Sequence, residues 1–232
     1  MDTLITIPGF SEPVSSLSHL GAALFFFILS FVLIYRHSSS SLKIIAILIM
    51  AFSSVLLLSM SGVYHLLDPS GVGRAVLQKL DHAAIFVLIA GTFTAVHLVM
   101  FRGVWRWGMI VLIWLFACVG ITLKSIFFND FPEWLSLSIY IGLGWLGVIS
   151  AVQLWRYYGL AMIKPLFYGG VAYSVGAVID FLQQPVLIGG VIGPHEIFHF
   201  AVLAGIGFHW AFIDKAFFKS QYPYTFSLAV PA

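Results

Sequence analysis

Residues 192–218 read IGPHEIFHFAVLAGIGFHWAFIDKAFF, an apolar stretch that carries two histidines in its first turns. An α-helix needs about 20 apolar residues to cross the roughly 30 Å hydrocarbon core of a bilayer, so this stretch predicts a membrane span. His195 and His199 are one helical turn apart and project from one face of that helix. Because ionisable side chains are costly inside a bilayer, a pair at metal-ligand spacing indicates a functional site.

The composition of the whole chain points to the same class of protein. Apolar residues make up 61% of the 232 residues and charged residues only 9%, whereas about a quarter of an ordinary soluble domain is charged. The 11 basic and 9 acidic residues form no run of either sign, which argues against a nucleic-acid-binding surface. The single cysteine, Cys118, excludes an intrachain disulfide and a cysteine-based metal site. We therefore expect a protein embedded in the lipid bilayer with no nucleic-acid partner.

Six further apolar stretches of similar length precede this one, separated by short breaks rich in Gly, Pro and Ser. The predicted spans are His19–Tyr35, Leu42–Leu66, Val76–Phe101, Trp105–Phe127, Leu135–Trp155, Leu160–Phe181 and Ile192–Phe218. The break between Trp155 and Lys164 is the weakest of the set. The sequence thus predicts an all-α polytopic membrane protein, a seven-helix transmembrane bundle that forms one domain over residues 1–232.

The basic residues predict an orientation for this bundle. With seven spans, eight of the 11 basic residues share the side of the C-terminal tail: Arg36, Lys43, Arg102, Arg106, Arg156, Lys164, Lys215 and Lys219. Arg74, Lys79 and Lys124 lie on the opposite side. Because basic loops favour the cytoplasm, we expect a cytoplasmic C-terminus and an external N-terminus.

Several ionisable residues fall at one depth on the N-terminal side. His65 ends the second span, Asp81 and His82 begin the third, and His195 and His199 begin the seventh. His65 can add a third nitrogen to the histidine pair. Three protein ligands plus a water is the arrangement of catalytic zinc. Asp180, near the end of the sixth span, also falls on this side, either lining the cavity or solvated at the interface.

The remaining histidines favour structural roles. His19 is interpreted as a capping or packing residue near the start of the first span, and His37 as a loop residue. His97 is about 24 Å along its helix from Asp81 at 1.5 Å per residue, too far to join the cluster. His209 is about 15 Å deeper than His199 and is expected to make an interhelical hydrogen bond.

The stretch HEIFH at 195–199 also matches the HExxH pattern, in which two histidines bind zinc and the glutamate is a general base. Membrane-embedded metalloproteases carry this pattern early in the chain, whereas here it lies in the last span. That interpretation also leaves His65 unexplained. We therefore expect Glu196 to be a bystander.

Three motifs in order resemble the signatures of the hemolysin III family, which is related to the adiponectin and progestin receptors and more distantly to alkaline ceramidases. They are SGVYHLL at 61–67, KLDHAAIFVLIAGTFT at 79–94 and HEIFHFAVLAGIGFH at 195–209. The opening SEPVSSLSHLGAAL at 11–24 is similar to the N-terminal segment of the family.

This resemblance implies a seven-helix fold and a zinc ion bound by His65, His195 and His199. It also implies that Asp81 holds a water and that Ser61 lies near the metal. The adiponectin receptors are thought to keep this site on the cytoplasmic side, whereas the charges here place it outside. We follow the charges and expect a multi-pass protein of the inner membrane of a bacterium.

The function expected from these residues is zinc-dependent hydrolysis of a lipid amide, such as a ceramide-like molecule drawn from the bilayer. Asp81 would orient the water or accept its proton, and Ser61 would donate a hydrogen bond to the developing oxyanion. Two alternatives remain open. The protein can be receptor-like or regulatory, with zinc that only clamps the helices, or it can be a cytolytic membrane protein.

Overall fold

The computed structural model describes residues 9–37 and 40–219, apart from the side chain of Lys219. Within these ranges the chain is mainly helical and has no β-strand, only isolated bridge positions such as the one between Ile188 and Ile192. The predicted domain, residues 1–232, also includes residues 1–8, 38–39 and 220–232, which lie outside the described residues. The helices are α1 (Pro13–Arg36), α2 (Ser41–Leu66), α3 (Val72–Met100), α4 (Gly103–Ile126), α5 (Glu133–Trp145), α6 (Gly147–Tyr158), α7 (Leu160–Leu182) and α8 (Pro194–Lys219).

The seven predicted spans are confirmed within the described ranges. The fifth span, Glu133–Tyr158, consists of α5 and α6, which meet at Leu146. Glycines surround this junction, and glycine is a poor helix former. The weak break that follows is confirmed as a single residue, Gly159, whose φ of 79° is a conformation that glycine adopts without strain.

Small residues allow the helices to approach each other closely. A Cβ atom on Gly91 of α3 would lie 2.4 Å from the hydroxyl oxygen of Ser53 on α2. A Cβ atom on Gly176 of α7 would lie 2.5 Å from the Cβ of Ala201 on α8. Such contacts are typical of membrane bundles, where close backbone packing replaces the hydrophobic effect as the source of helix association.

The third span lies at the centre of the bundle, because 67% of its most apolar window is buried, against 17% for the fourth. Outward-facing side chains such as Phe52 and Leu115 are large and apolar, and they suit contact with lipid tails. The chain is thus an integral membrane protein, and Asp81 belongs to its most buried span, α3.

Polar contacts join the helices at the end of the bundle away from the predicted site. Lys43 on α2 donates to the backbone oxygen of Phe217 on α8 at 2.8 Å. His37, predicted to be a loop residue, lies in the turn directly after α1, where it is buried and 3.3 Å from a carboxylate oxygen of Asp214. This end of the bundle is therefore a set of structural ties between α1, α2 and α8.

His97 has the structural role that the sequence predicts. Its Nδ1 lies 2.8 Å from the backbone oxygen of Trp105, and its Nε2 lies 2.8 Å from the hydroxyl of Ser150. Both ring nitrogens are occupied, and the residue ties α3 to α4 and α6.

Candidate metal centre

Three histidines from the second and the last helix converge at one end of the bundle. His65 is in the last turn of α2, and His195 and His199 are in the first turns of α8. One ligand atom from each lies within 4.8 Å of the others. Among residues 9–37 and 40–219, no other three His, Cys, Asp or Glu residues approach each other in this way.

The spacing of these nitrogens fits a single tetrahedral ion. The Nε2 atoms of His65 and His195 are 3.4 Å apart. Two nitrogens bound to one zinc at about 2.0–2.1 Å and a tetrahedral angle would be about 3.3 Å apart. His65 and His199 are buried, while the side chain of His195 is 41% exposed, so the cluster opens on the His195 side.

Two of these histidines have a carboxylate next to Nδ1 that orients the ring. Glu12 is hydrogen-bonded to Nδ1 of His65. Asp180 is 3.1 Å from Nδ1 of His195. A carboxylate that accepts a hydrogen bond from Nδ1–H keeps the proton on that nitrogen. The Nε2 atom is then unprotonated and free to bind a metal. Asp180 therefore lines the cluster rather than being solvated at the interface.

Arg74 holds Glu12 in place. Its guanidinium pairs with the Glu12 carboxylate, donates to the backbone oxygen of Leu67 at 2.7 Å, and lies 4.6 Å from the ring of Tyr64. Burial alone would raise the pKa of the Glu12 carboxyl, but His65 and Arg74 outweigh it and lower that pKa to about 2. Glu12 is therefore an anion at neutral pH, as an acceptor for the His65 N–H requires.

Asp81 and Ser61 lie beside the histidines. The Asp81 carboxyl on α3 lies close enough to the Ser61 hydroxyl on α2 and to His195 for both to influence it. Ser61 is one turn before His65 on the same helix. A hydroxyl and a carboxyl thus accompany the three imidazoles.

His82, predicted at the same depth as Asp81, does not join the cluster. Its Nδ1 bonds the backbone oxygen of Gln78 at 2.8 Å, and its ring meets the ring of Phe128 edge to face. Neighbouring residues on a helix point about 100° apart, so only one of Asp81 and His82 can face the histidines.

His19 corrects the interpretation from the sequence, which gave it a capping or packing role away from the cluster. Its ring stacks on that of His199, with centroids 3.9 Å apart and planes 14° from parallel. It is 3% exposed, and neither ring nitrogen has a hydrogen-bond partner among the described residues. His19 is thus a fourth imidazole in contact with the cluster.

The polar face of α1 is the part of the site that the sequence analysis did not assign. Glu12, Ser15, Ser16 and His19 follow the spacing of one helix face and all point into the bundle. Ser16 donates to the backbone oxygen of Gly62 at 2.8 Å. The helical spacing of these polar residues, in a largely apolar span, could have identified this face from the sequence.

Glu196 links helices rather than facing the ligand nitrogens. It accepts hydrogen bonds from the Ser15 hydroxyl at 3.0 Å and from the backbone N–H of Gly193 at 2.9 Å. The second contact caps the start of α8. Its carboxylate is thus engaged by two donors.

His209 lies far from the cluster and packs against α7. The interhelical hydrogen bond predicted for it is not found at Nδ1, which is buried without a hydrogen-bond partner among the described residues. A Cβ atom on Gly169 would lie 2.7 Å from its Nε2, so the glycine makes room for the imidazole.

Removing the charge of Glu12 should weaken metal binding without removing a ligand. We expect Glu12→Gln to lower zinc affinity about 10- to 100-fold, because the amide no longer stabilises the His65 tautomer that exposes Nε2. Competition with a zinc chelator measures this. Asp68→Asn, which neutralises an exposed acid on the same side of the bundle, should leave the affinity unchanged. Equal affinities for wild type and Glu12→Gln would show that Glu12 does not support the ligand.

Comparison with known proteins identifies the family of this chain. The family described as "Haemolysin-III related" matches residues 10–210, a range that includes Glu12, Asp81 and all three clustered histidines. The chain is 31% identical over 196 residues to the "Hemolysin-3 homolog" of Bacillus subtilis (strain 168), covering 84% of this chain and 88% of that protein. It is 32% identical over 170 residues to "Hemolysin-3" of Bacillus cereus, covering 73% and 74% respectively. The chain therefore belongs to the hemolysin III family.

Proposed function

We propose that this chain is a zinc-dependent hydrolase that cleaves an amide- or ester-linked membrane lipid, with a ceramide-like amide as the leading substrate. The observation that carries the proposal is the convergence of His65, His195 and His199 beside the Ser61–Asp81 pair. Three ligands with an open side match the coordination of catalytic zinc, whereas structural zinc sites are closed by four protein ligands.

The residues fit a zinc ion by their chemistry as well as their spacing. Imidazole nitrogens suit zinc, and carboxylates behind two of the imidazoles are the usual support for such ligands. If Nδ1–H of His65 donates to Glu12 and Nδ1–H of His195 donates to Asp180, neither Nε2 atom carries a proton. The lone pairs of these two Nε2 atoms then face each other. A cation between them removes that repulsion.

Each polar residue then has a distinct role. Zinc held by the three histidines would supply a Lewis acid that lowers the pKa of water toward about 7 and polarises a carbonyl. Asp81 would orient the attacking water and accept its proton. The Ser61 hydroxyl would donate to the oxygen on which negative charge develops.

The substrate is proposed to come from the bilayer. The cluster lies among spans whose outer surfaces are apolar, and its open side is at His195, near one end of the bundle. This depth is close to where the amide or ester linkage of a membrane lipid sits, between its acyl chains and its head group. A water-soluble substrate would not require a site at this depth in the bilayer.

The charge distribution supports an orientation for this site. The C-terminal side of the bundle carries most of the basic residues, so we propose that it faces the cytoplasm and that the metal centre faces outward. The relatives named hemolysin-3 suggest a lytic activity. Damage to lipids by hydrolysis would account for lysis without a pore through this single bundle.

Metal removal and restoration test the proposal directly. Purified protein in lipid is stripped with a chelator, and half is restored with one equivalent of zinc. Zinc-restored protein should release fatty acid from a ceramide-like amide or a lipid ester, while stripped protein should not. Near-stoichiometric zinc with no lipid product under either condition would favour the alternative of a receptor-like or regulatory protein with structural zinc. Well-folded protein that binds no zinc would overturn the site itself.

A further inference from the structure

The loop between α7 and α8, residues 183–193, differs from the other loops on the same side of the bundle. It reads QQPVLIGGVIG and contains no charged residue. The loops after α2 and α4 each carry an exposed acid, Asp68 and Asp130. Because the loops that carry these acids suit water, the lack of charge in residues 183–193 suggests that this loop has a less polar environment.

Large apolar side chains cover the outside of this loop. Val186, Leu187 and Ile188 are 51%, 64% and 52% exposed. They continue the apolar surface of the last turns of α7, where Phe181 and Leu182 are 49% and 61% exposed. Exposed apolar side chains therefore continue from the helix into the loop, interrupted only by the uncharged Gln183 and Gln184.

The loop also satisfies much of its own backbone. The amide of Leu187 donates to the backbone oxygen of Ile192 at 3.0 Å, and the amide of Ile192 donates to that of Ile188 at 2.9 Å. The amides of Ile188 and Val191 donate within the loop as well. Because unpaired peptide groups are what exclude irregular backbone from lipid, this pairing lowers the cost of placing the loop in a membrane.

We propose that the first half of this loop, residues 185–188, inserts among the lipids of the leaflet on the metal-centre side. The surface is occupied by lipid acyl chains, continuous with the lipid that surrounds α7. The base of the loop is fixed at the metal centre, because Asp180 contacts His195 at one end and Gly193 donates to Glu196 at the other. Lipid held by residues 185–188 would therefore lie on the side of the bundle where His195, the exposed histidine of the cluster, opens. This access role rests on the proposed function, whereas the insertion does not.

Site-directed spin labelling tests the insertion. Cys118 is the only cysteine, so Cys118→Ala gives a cysteine-free background. A nitroxide is attached to Leu187→Cys or, in a second variant, to Val186→Cys, and the protein is placed in lipid bilayers. The matched control is Ser70→Cys, an exposed position in the α2–α3 loop on the same side.

The readout is collision of each label with oxygen, which concentrates in hydrocarbon, against a water-soluble nickel chelate. Labels at 186 and 187 should collide mainly with oxygen, and the label at 70 mainly with nickel. Nickel-dominated collisions at both loop positions would overturn the insertion, as would labels shielded from both reagents, which would indicate a contact between two copies of the chain. The measurement needs neither zinc nor turnover. Its failure would leave the hydrolase proposal standing, and loss of the hydrolase proposal would leave the insertion intact.

Discussion

His199→Ala is expected to lower zinc affinity by on the order of 100-fold and to leave dialysed protein nearly free of metal. Structural zinc sites with four ligands bind with roughly 10–16 kcal/mol, so one lost ligand removes about 3 kcal/mol if the ligands share that energy evenly. His199 is buried and is one of the three clustered ligands. Metal analysis of purified protein and chelator competition give the two quantities.

The matched control is His209→Ala. This histidine is on the same helix, is also packed inside the bundle, and lies away from the cluster. Its loss should lower thermal stability slightly and leave zinc near one per chain. Because the proposed zinc would bridge α2 and α8, His199→Ala should also lose the stabilisation expected from added zinc in the wild type. Stoichiometric zinc in His199→Ala would contradict the assignment of His199 as a ligand.

The spans were predictable because the bilayer imposes a length and an apolar composition on each of them. All seven were found from the sequence. The ends of the spans were harder to predict. The first helix begins at Pro13, whereas the predicted span begins at His19, and the added turns carry the polar face that contacts the cluster. Those turns lie inside the protein although they are not apolar, so hydropathy alone could not assign them to a helix.

The histidine cluster was predictable from the depth of its three residues in the membrane. His65, His195 and His199 fall at the same end of the bundle once the spans alternate in direction, and the structure brings them together. His19 satisfies the same condition, since α1 begins on that side. It was assigned a structural role because contact between α1 and α8 depends on how the helices are arranged around the bundle, which span direction does not determine.

The carboxylates were harder to assign than the histidines. Glu12 precedes the first span and Asp180 ends the sixth, so each could as well be solvated at the interface. What distinguishes them is a specific partner: Glu12 pairs with Arg74 and His65, and Asp180 pairs with His195. Pairing of this kind is a property of the folded bundle and leaves no pattern in the sequence.

Asp81→Asn is expected to reduce lipid hydrolysis about 100- to 10,000-fold, the usual contribution of a general base, while zinc remains bound. Asparagine has nearly the same shape as aspartate, and its amide oxygen can still accept a hydrogen bond from Ser61. It cannot accept a proton from water. Rates of fatty-acid release and zinc content, measured on the same preparation, separate the two effects.

The control for Asp81→Asn is Asp68→Asn, which removes an exposed acid on the same side of the bundle and should change neither quantity. The two variants carry the same change of charge, so a difference between them reports on position rather than on net charge. If Asp81→Asn lost zinc along with activity, Asp81 would belong to the metal site and not to proton transfer. If it kept both zinc and full turnover, the water would have another acceptor. Lipids that do not differ between cells with wild type and cells with Asp81→Asn, together with bound zinc, would favour a clamp that holds the helices and carries out no reaction.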